Sequence, residues 1–169
     1  VLILDADALN MIASRKDLAE KVRRAKAQVI ITPHIGEARR LLHTDARIAG
    51  QDARVHAVCE LADQYHCIAV LKGAGTLVCE GSSANNPLFN IYQNTTGNPG
   101  MATGGSGDSL TGLTAAFAAQ GYAPVDAARA GVYIHGLAGD LAARELGEMG
   151  MTAADLVQYL PYALKQFLS

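Results

Sequence analysis

Short apolar runs alternate with longer amphipathic stretches along the first half of the chain. The runs at 1–4, 28–32 and 67–71 have continuous apolar cores, which is typical of strands covered on both faces of a parallel sheet. Two further strands at 76–79 and 88–92 flank a turn over 81–87 and are predicted to pair antiparallel. Helical spacing predicts connecting helices at 8–14, 17–25 and 49–65, and the turn over 32–37 opens a further helix that runs through Leu42.

The second half of the chain is predicted to be helical after a glycine-rich stretch. Helices are predicted over 109–120, 125–146 and 153–167, with Thr152 as the N-cap of the last and Asp155 at its N3 position. Strands alternating with helices, followed by a helical tail, predict a three-layer α/β fold with a mostly parallel central sheet flanked by helices. The chain has 169 residues, half of them hydrophobic, which is enough to bury one core. Residues 1–169 are therefore predicted to form a single domain.

Polar residues and glycines gather where the predicted strands end. These clusters are Asp5–Asn10, Thr32–Glu37 and Lys72–Thr76. Ligands bind at the carboxyl ends of strands in open parallel sheets, so we expect the clusters to meet at one cleft, together with the glycine-rich stretch.

The stretch from Thr95 to Gly112 contains six glycines and few apolar residues. Glycine lets the backbone approach a ligand closely, and a helix that starts there presents unpaired N–H groups and the positive end of its dipole. An anion, most often phosphate, is the expected ligand. Asp108 sits at the junction of loop and helix, where a carboxylate beside an anion is unfavourable unless it takes part in the chemistry.

The composition limits the kinds of partner and ligand that the protein is expected to bind. The formal charge is −2 and the chain has no basic run, so nucleic acid is not an expected partner. The cysteines at 59, 67 and 79 are odd in number and lack a C-x-x-C spacing, which indicates reduced core residues in a cytoplasmic protein. No apolar run reaches the ~20 residues of a membrane span, and no signal peptide is apparent. No histidine cluster has the spacing of a zinc site.

The glycine-rich stretch lacks the lysine of a Walker A motif and the third glycine of a dinucleotide fingerprint. Its segment Gly104-Gly105-Ser106-Gly107-Asp108 instead resembles the G-x-G-D signature of the ribokinase-like superfamily. In that superfamily the aspartate removes a proton from a substrate hydroxyl, and the N–H groups of the turn hold the transferred phosphoryl group. The unfavourable position of Asp108 is then explained by a role as general base.

Four longer strings resemble one family in their order and context, over essentially the whole chain. They are Asp5-Ala6-Asp7-Ala8-Leu9-Asn10, Thr32-Pro33-His34-Ile35-Gly36-Glu37, Leu71-Lys72-Gly73-Ala74-Gly75-Thr76 and the segment from Gly97 to Asp108. The family is the ADP- or ATP-dependent NAD(P)H-hydrate dehydratases, which form the C-terminal domain of a bifunctional repair enzyme in many bacteria.

The resemblance implies a role for each matching residue. Asp108 is the implied catalytic base and contacts the substrate, which His34 also contacts. Glu37 takes the place of the acidic residue near Mg²⁺, acting through water. The implied contacts to the AMP part of the nucleotide are Lys72, Gly73, Ala74, Gly75, Thr76 and Gly107. The implied anion hole consists of Gly105, Ser106 and Gly107.

The implied reaction is the repair of hydrated NADH or NADPH. ADP or ATP with Mg²⁺ phosphorylates the substrate hydroxyl, and elimination of phosphate restores the double bond. The chain starts at Val1 inside a strand pattern. We therefore expect it to lack N-terminal strands that contact substrate in this family, which would leave it inactive alone. A homo-oligomer and an upstream epimerase domain are also expected.

Two other functions stay open. A kinase of the same superfamily would phosphorylate the hydroxyl of a vitamin precursor, and a non-catalytic module would only bind nucleotide. The single residues also have plain structural alternatives. Asp108 could be a surface or capping residue, His34 a turn residue bonded to the backbone, and Lys72 a solvated lysine. Asp5 and Asn10 could cap a helix, and Glu37 could favour its helix N-terminus. His135 is predicted to be a satisfied core residue.

Overall fold

The computed structural model describes residues 1–81 and 91–168. The predicted turn over 81–87, apart from Gly81, and the first three residues of the predicted strand 88–92 lie outside this part. The described chain forms two compact units, Val1–Gln93 and Asn94–Ser169. That residues 1–169 act as a single domain stays a prediction.

One five-stranded sheet lies in the first unit, with strands in chain order β1-β2-β3-β4-β5. The strands are β1 (Leu2–Leu4), β2 (Val29–Ile31), β3 (Ile68–Leu71), β4 (Leu77–Glu80) and β5 (Ile91–Gln93). β1, β2 and β3 pair in parallel, and β4 pairs antiparallel with both of its neighbours. Only β4 therefore runs against the other described strands, which confirms the mostly parallel sheet and its predicted antiparallel pair.

Helices of the first unit pack on the sheet because its residues are apolar on both faces. The helices are α1 (Asp7–Ser14), α2 (Lys16–Arg23), α3 (Ile35–Leu41) and α4 (Gln51–Tyr65). Side chains of alternate strand residues, such as Val29, Ile31 and Leu71, join Leu41 and Leu61 of the helices in one buried cluster. The opposite face is buried as well, with Ile30 and Val70 at most 1% exposed. Burial on both faces accounts for the continuous apolar runs of the sequence.

The second unit is helical in its described part. It contains α5 (Ser106–Ala119), α6 (Pro124–Leu146) and α7 (Ala153–Leu168), with short 3-10 turns at Pro99–Met101 and Glu148–Gly150. Thr152 and Asp155 cap α7 as predicted: the Thr152 N–H donates to Asp155 Oδ2 at 2.8 Å, and the Asp155 N–H donates to Thr152 Oγ1 at 3.4 Å. The hydrogen bonds from Thr152 lower the pKa of Asp155.

One helix boundary requires a correction. α5 begins at Ser106, whereas the sequence predicted Ser109. Gly105 adopts a left-handed backbone (φ 87°) and becomes the N-cap, so the helix can start among the glycine and serine residues that seemed to belong to the loop. Asp108 therefore lies inside the first turn of α5 rather than ahead of it, and the other described boundaries shift by only one or two residues.

The three cysteines are free thiols, with Cys67 and Cys79 buried and Cys59 half-buried. Burial raises the pKa of Cys67 to about 12, so its thiol stays protonated near neutral pH. These observations confirm the prediction of reduced core cysteines. None of the helices in the described ranges combines the length and the apolar character needed to cross a membrane.

Candidate active site

Three strand ends of the first unit bring charged side chains together. Lys72 follows β3, and its Nζ lies 2.6 Å from Asp5 Oδ1, which follows β1, and 4.0 Å from Glu37 Oε2 on α3. Parallel neighbouring strands end at the same edge of a sheet, which explains the meeting of residues distant in sequence. The predicted convergence of these three clusters is confirmed within residues 1–93.

The cluster of Asp5, Glu37 and Lys72 is largely shielded from solvent. The side chains of Lys72, Asp5 and Glu37 are 19%, 10% and 7% exposed. Lys72 is therefore not a solvated loop lysine. Asp5 is its ion-pair partner rather than the cap of α1, because the N-cap of that helix is Ala6 and has no side-chain cap hydrogen bond. Two carboxylates surround one ammonium group, so the positive charge of Lys72 is already compensated before any ligand arrives.

His34 caps α3 through a reciprocal pair of hydrogen bonds with Glu37. The backbone N–H groups of Gly36 and Glu37 donate to His34 Nδ1 at 2.9 and 3.3 Å, and the His34 N–H donates to Glu37 Oε2 at 2.8 Å. Because Nδ1 accepts, the ring proton belongs on Nε2, which lies 3.3 Å from Glu37 Oε1. The side chain is still 55% exposed, so the capping role leaves one ring edge accessible to a ligand.

The loop over 72–76 connects β3 to β4 as a tight hairpin. Within the loop, Thr76 Oγ1 donates to Gly73 O at 2.9 Å. The start of the loop is held against the segment after β2, because the Lys72 N–H donates to Pro33 O at 2.8 Å. Arg54 on α4 donates from Nη1 to Ala74 O at 2.5 Å and from Nη2 to Gly75 O at 3.0 Å. The shape of the predicted nucleotide loop thus depends on an arginine that sequence reasoning missed.

In the second unit, the start of α5 leaves backbone donors unused. The N–H of Ser106 donates to Thr103 O at 3.3 Å. The N–H groups of Gly107 and Asp108 have no hydrogen-bond acceptor among the described residues, as expected for the first turn of a helix. Asp108 itself is exposed in that turn. The first turn of α5 therefore offers unpaired N–H donors beside an exposed carboxylate.

Helix α6 holds the glycine-rich stretch in place. Asp140 accepts from the Gly97 N–H at 2.9 Å and from Asn98 Nδ2 at 3.1 Å, and Thr96 Oγ1 donates to Tyr133 O at 2.8 Å. Asp140 was not singled out from the sequence, since an acidic residue in the middle of a helix carries no motif. It is nonetheless the side chain that fixes the start of the stretch.

His135, also on α6, supports the beginning of α5. Ser109 Oγ donates to Ser106 O at 2.8 Å, and His135 Nε2 lies 3.0 Å from the same Oγ, which accepts from it. His135 is 6% exposed, and burial lowers its pKa to about 4. The ring is therefore neutral near pH 7 and hydrogen-bonded, which confirms that His135 is a satisfied core residue.

Comparison with known proteins identifies the family of the chain. The profile of the NAD(P)H-hydrate dehydratase family matches residues 1–162. The chain is 42% identical over 163 residues to the "Bifunctional NAD(P)H-hydrate repair enzyme Nnr" of Moorella thermoacetica, covering 96% of this chain and 29% of that protein.

Two solved structures are also similar. One is ADP/ATP-dependent NAD(P)H-hydrate dehydratase from Bacillus subtilis, co-crystallized with ATP/Mg²⁺ (TM-score 0.78, 30% identity, 98% of this chain and 54% of that chain). The other is a ribokinase-like superfamily protein from Enterococcus faecalis (TM-score 0.71, 28% identity, 98% of this chain and 52% of that chain). The predicted ribokinase-like fold is thereby confirmed.

The chain thus spans less than a third of the bifunctional relative and about half of each solved structure. The roles of individual residues stay predictions, because a family match identifies the family and not the function of each side chain. With the profile match over nearly its whole length, the chain belongs to the NAD(P)H-hydrate dehydratase family.

Proposed function

We propose that the protein dehydrates hydrated NADH or NADPH at the expense of ADP or ATP. The observation that carries the proposal is the start of α5, where two unpaired backbone N–H groups lie beside the exposed carboxylate of Asp108. Donors of this kind stabilise the charge that develops on a phosphoryl group during transfer. A carboxylate beside them has a chemical purpose if it accepts the proton of the attacking hydroxyl.

The proposed reaction has two parts. Asp108 takes the proton of the substrate hydroxyl, and that oxygen bonds to the terminal phosphorus as the bond to the nucleotide leaving group breaks. The phosphate then leaves with its C–O electron pair, a proton is lost from the neighbouring carbon, and the ring double bond returns. The predicted anion hole of Gly105, Ser106 and Gly107 is proposed to hold the phosphoryl oxygens through the unpaired N–H groups of Gly107 and of the adjoining Asp108, because the N–H of Ser106 donates to Thr103 O. His34 is proposed to contact the hydrated ring.

The loop of Lys72, Gly73, Ala74, Gly75 and Thr76 is proposed to hold the nucleotide, together with Gly107. Since Asp5 and Glu37 compensate the charge of Lys72, we expect this contact to use the loop backbone more than an unpaired ammonium group. Mg²⁺, when bound, would neutralise charge on the phosphates. It prefers oxygen ligands and keeps several waters, so the carboxylate of Glu37, and that of Asp5 beside it, fit a contact through water.

The test uses the full encoded protein with ADP or ATP, Mg²⁺ and hydrated NADH. We expect the absorbance of the reduced nicotinamide to return. Asp108→Asn should lower turnover about 10²–10⁴-fold while nucleotide binding stays nearly unchanged. Asp126→Asn is a matched control, because Asp126 occupies the first turn of α6 and is also exposed; it should keep full turnover.

Three results would contradict the proposal. Full turnover in Asp108→Asn would remove Asp108 from the mechanism. Phosphorylation of a vitamin precursor without recovery of absorbance would identify a small-molecule kinase. Tight nucleotide binding without any turnover would identify a binding module.

The Moorella relative is named bifunctional, which supports the prediction of an accompanying epimerase domain. The homo-oligomer and the cytoplasmic location stay predictions.

A further inference from the structure

A groove between α1 and α3 lies outside the residues assigned above. Its volume is about 500 Å³. Asn10, Ala13 and Ser14 line it from α1, and Gly36, Arg39 and Arg40 line it from α3. Two guanidinium groups therefore line one groove.

The two arginines differ in what holds them. Arg39 Nη2 lies 4.0 Å from Asp45 Oδ1 and donates to Asp45 O at 3.0 Å, so its charge is partly offset. Arg40 Nε donates to Asn10 Oδ1 at 2.9 Å, a neutral acceptor. Among the residues that the structure describes, no carboxylate lies within 4.0 Å of Arg40.

The single bond to Asn10 orients the guanidinium group of Arg40 without using its outer edge. Neither Nη1 nor Nη2 of Arg40 has a hydrogen-bond partner in the described part of the chain. These two nitrogens form the planar pair that grips phosphate or carboxylate oxygens with two parallel hydrogen bonds. Arg40 is therefore an oriented cation with its anion-binding edge unused.

Gly36 places this cation beside His34. A Cβ atom added to Gly36 would lie 2.9 Å from His34 Cε1 and 3.8 Å from Arg40 Nη1. One glycine thus separates the imidazole that is proposed to contact the hydrated ring from the guanidinium group of Arg40. A dinucleotide whose ring lies on His34 carries its pyrophosphate one ribose away, and the NADP form carries a further phosphate on the adenosine ribose.

We propose that Arg40, oriented by Asn10, binds a phosphate group of the hydrated dinucleotide substrate and so helps to select dinucleotides over the free ring. The assignment rests on the proposed function, because it takes the substrate from there. The phosphate that Arg40 binds is either part of the pyrophosphate or the additional phosphate of the NADP form. Hydrated NADH carries only the pyrophosphate, so comparing it with hydrated NADPH distinguishes the two.

The experiment measures KM and kcat for hydrated NADH and hydrated NADPH in the full encoded protein. In Arg40→Gln, loss of two hydrogen bonds to a charged group should raise the substrate KM about 10- to 100-fold, with kcat and the nucleotide KM nearly unchanged. Arg40→Lys keeps the charge but loses the planar pair, so it should recover only part of the affinity. Arg24→Gln removes an exposed arginine at the C-cap of α2 and should change neither constant.

The outcomes are distinct. A raised KM for both substrates assigns Arg40 to the pyrophosphate, and a raised KM for hydrated NADPH alone assigns it to the additional phosphate. Unchanged substrate KM values, or a raised nucleotide KM instead, would overturn the assignment. If the protein restores no absorbance at all, the proposed function fails. Calorimetry with NADP⁺ then still decides about the groove: equal binding by the parent protein and Arg40→Gln, or no binding by either, refutes it.

Discussion

The two units present different chemistry around their candidate sites. Residues 1–93 gather charged side chains, with Asp5, Glu37 and Lys72 in contact where three strands end. The glycine-rich stretch of the second unit instead presents backbone N–H groups, and the carboxylate of Asp140 on α6 is used to hold this stretch in place.

The two sites depend on different properties of their residues. A cluster of two carboxylates and one ammonium group depends on its charge balance, because each charge is shielded from water and stabilised by the others. A loop of glycines pressed onto α6 depends on volume, because its backbone approaches the helix where no side chain intervenes. Removing a charge should therefore damage the first unit most, and adding a methyl group should damage the second.

The largest expected effect comes from removing Lys72. Lys72→Met leaves Asp5 and Glu37 close together without their cation, and breaking a buried ion pair costs about 3–5 kcal/mol. We expect urea unfolding of the variant to show a loss near the lower end of that range, since Lys72 retains some contact with solvent. The double variant Lys72→Met/Asp5→Asn should recover part of the loss, because one negative charge disappears with the positive one.

An exposed pair supplies the control for this prediction. Arg15 Nη2 lies 2.7 Å from Asp17 Oδ2, and the two side chains are 55% and 54% exposed. Arg15→Met should cost less than about 1 kcal/mol, as surface ion pairs usually do. Equal losses from Lys72→Met and Arg15→Met, or strictly additive losses in the double variant, would show that the charge balance of the cluster is unimportant.

The second prediction concerns His135 and acid. The pKa of His135 is about 4 in the folded state and near 6.5 in the unfolded state. Between pH 4 and 6.5 the ring is therefore protonated in the unfolded chain but neutral in the folded chain. The free energy of unfolding should therefore fall as the pH falls from 6.5 towards 4, by up to about 3 kcal/mol from this residue. Burial of the ring is the cause, and above pH 6.5 the effect is absent.

Comparing the parent protein with His135→Gln isolates this contribution. Glutamine can still donate to Ser109 Oγ but does not titrate, so its unfolding free energy should change less between pH 6.5 and 4 than that of the parent. Identical pH profiles for the two proteins would mean that the ring is protonated without penalty, and that the start of α5 does not depend on a neutral histidine.

The sequence predicted those features that depend on local patterns. Continuous apolar runs located the strands because their residues are buried on both faces, and Thr152 with Asp155 predicted a cap that the structure contains. The strand-end clusters were found because parallel strands bring their carboxyl ends together. The start of α5 was misplaced because glycine and serine are usual in loops, while the left-handed Gly105 that actually ends the loop leaves no separate signal.

Residues that act on distant backbone atoms could not be predicted. Arg54 reaches the carbonyl groups of Ala74 and Gly75, and Asp140 reaches the N–H of Gly97, and no spacing in the sequence links these partners. Asn10 could only be assigned to helix capping, since its hydrogen bond with Arg40 joins two residues that are 30 positions apart and lie on different helices. Such contacts follow from the packed fold, which a pattern along one chain does not contain.

The smallest expected effect tests the role of volume in the second unit. A Cβ atom added to Gly136 would lie 2.2 Å from Thr96 Oγ1 and 2.8 Å from the Thr96 carbonyl carbon, so Gly136→Ala must displace backbone as well as a hydroxyl. We expect the free energy of unfolding, measured in urea, to fall by about 1–3 kcal/mol, because overpacking outweighs the better helix propensity of alanine.

Gly112→Ala is the matched control: its added Cβ meets no atom within 4 Å, so it should raise stability by up to about 1 kcal/mol. If Gly136→Ala gains stability as Gly112→Ala does, the glycine-rich stretch is not pressed onto α6, and the contrast between a charge-dependent and a volume-dependent unit fails on that side. A loss in Gly136→Ala but not in Gly112→Ala would mean that close approach, and not flexibility, is the reason for glycine at that position of α6.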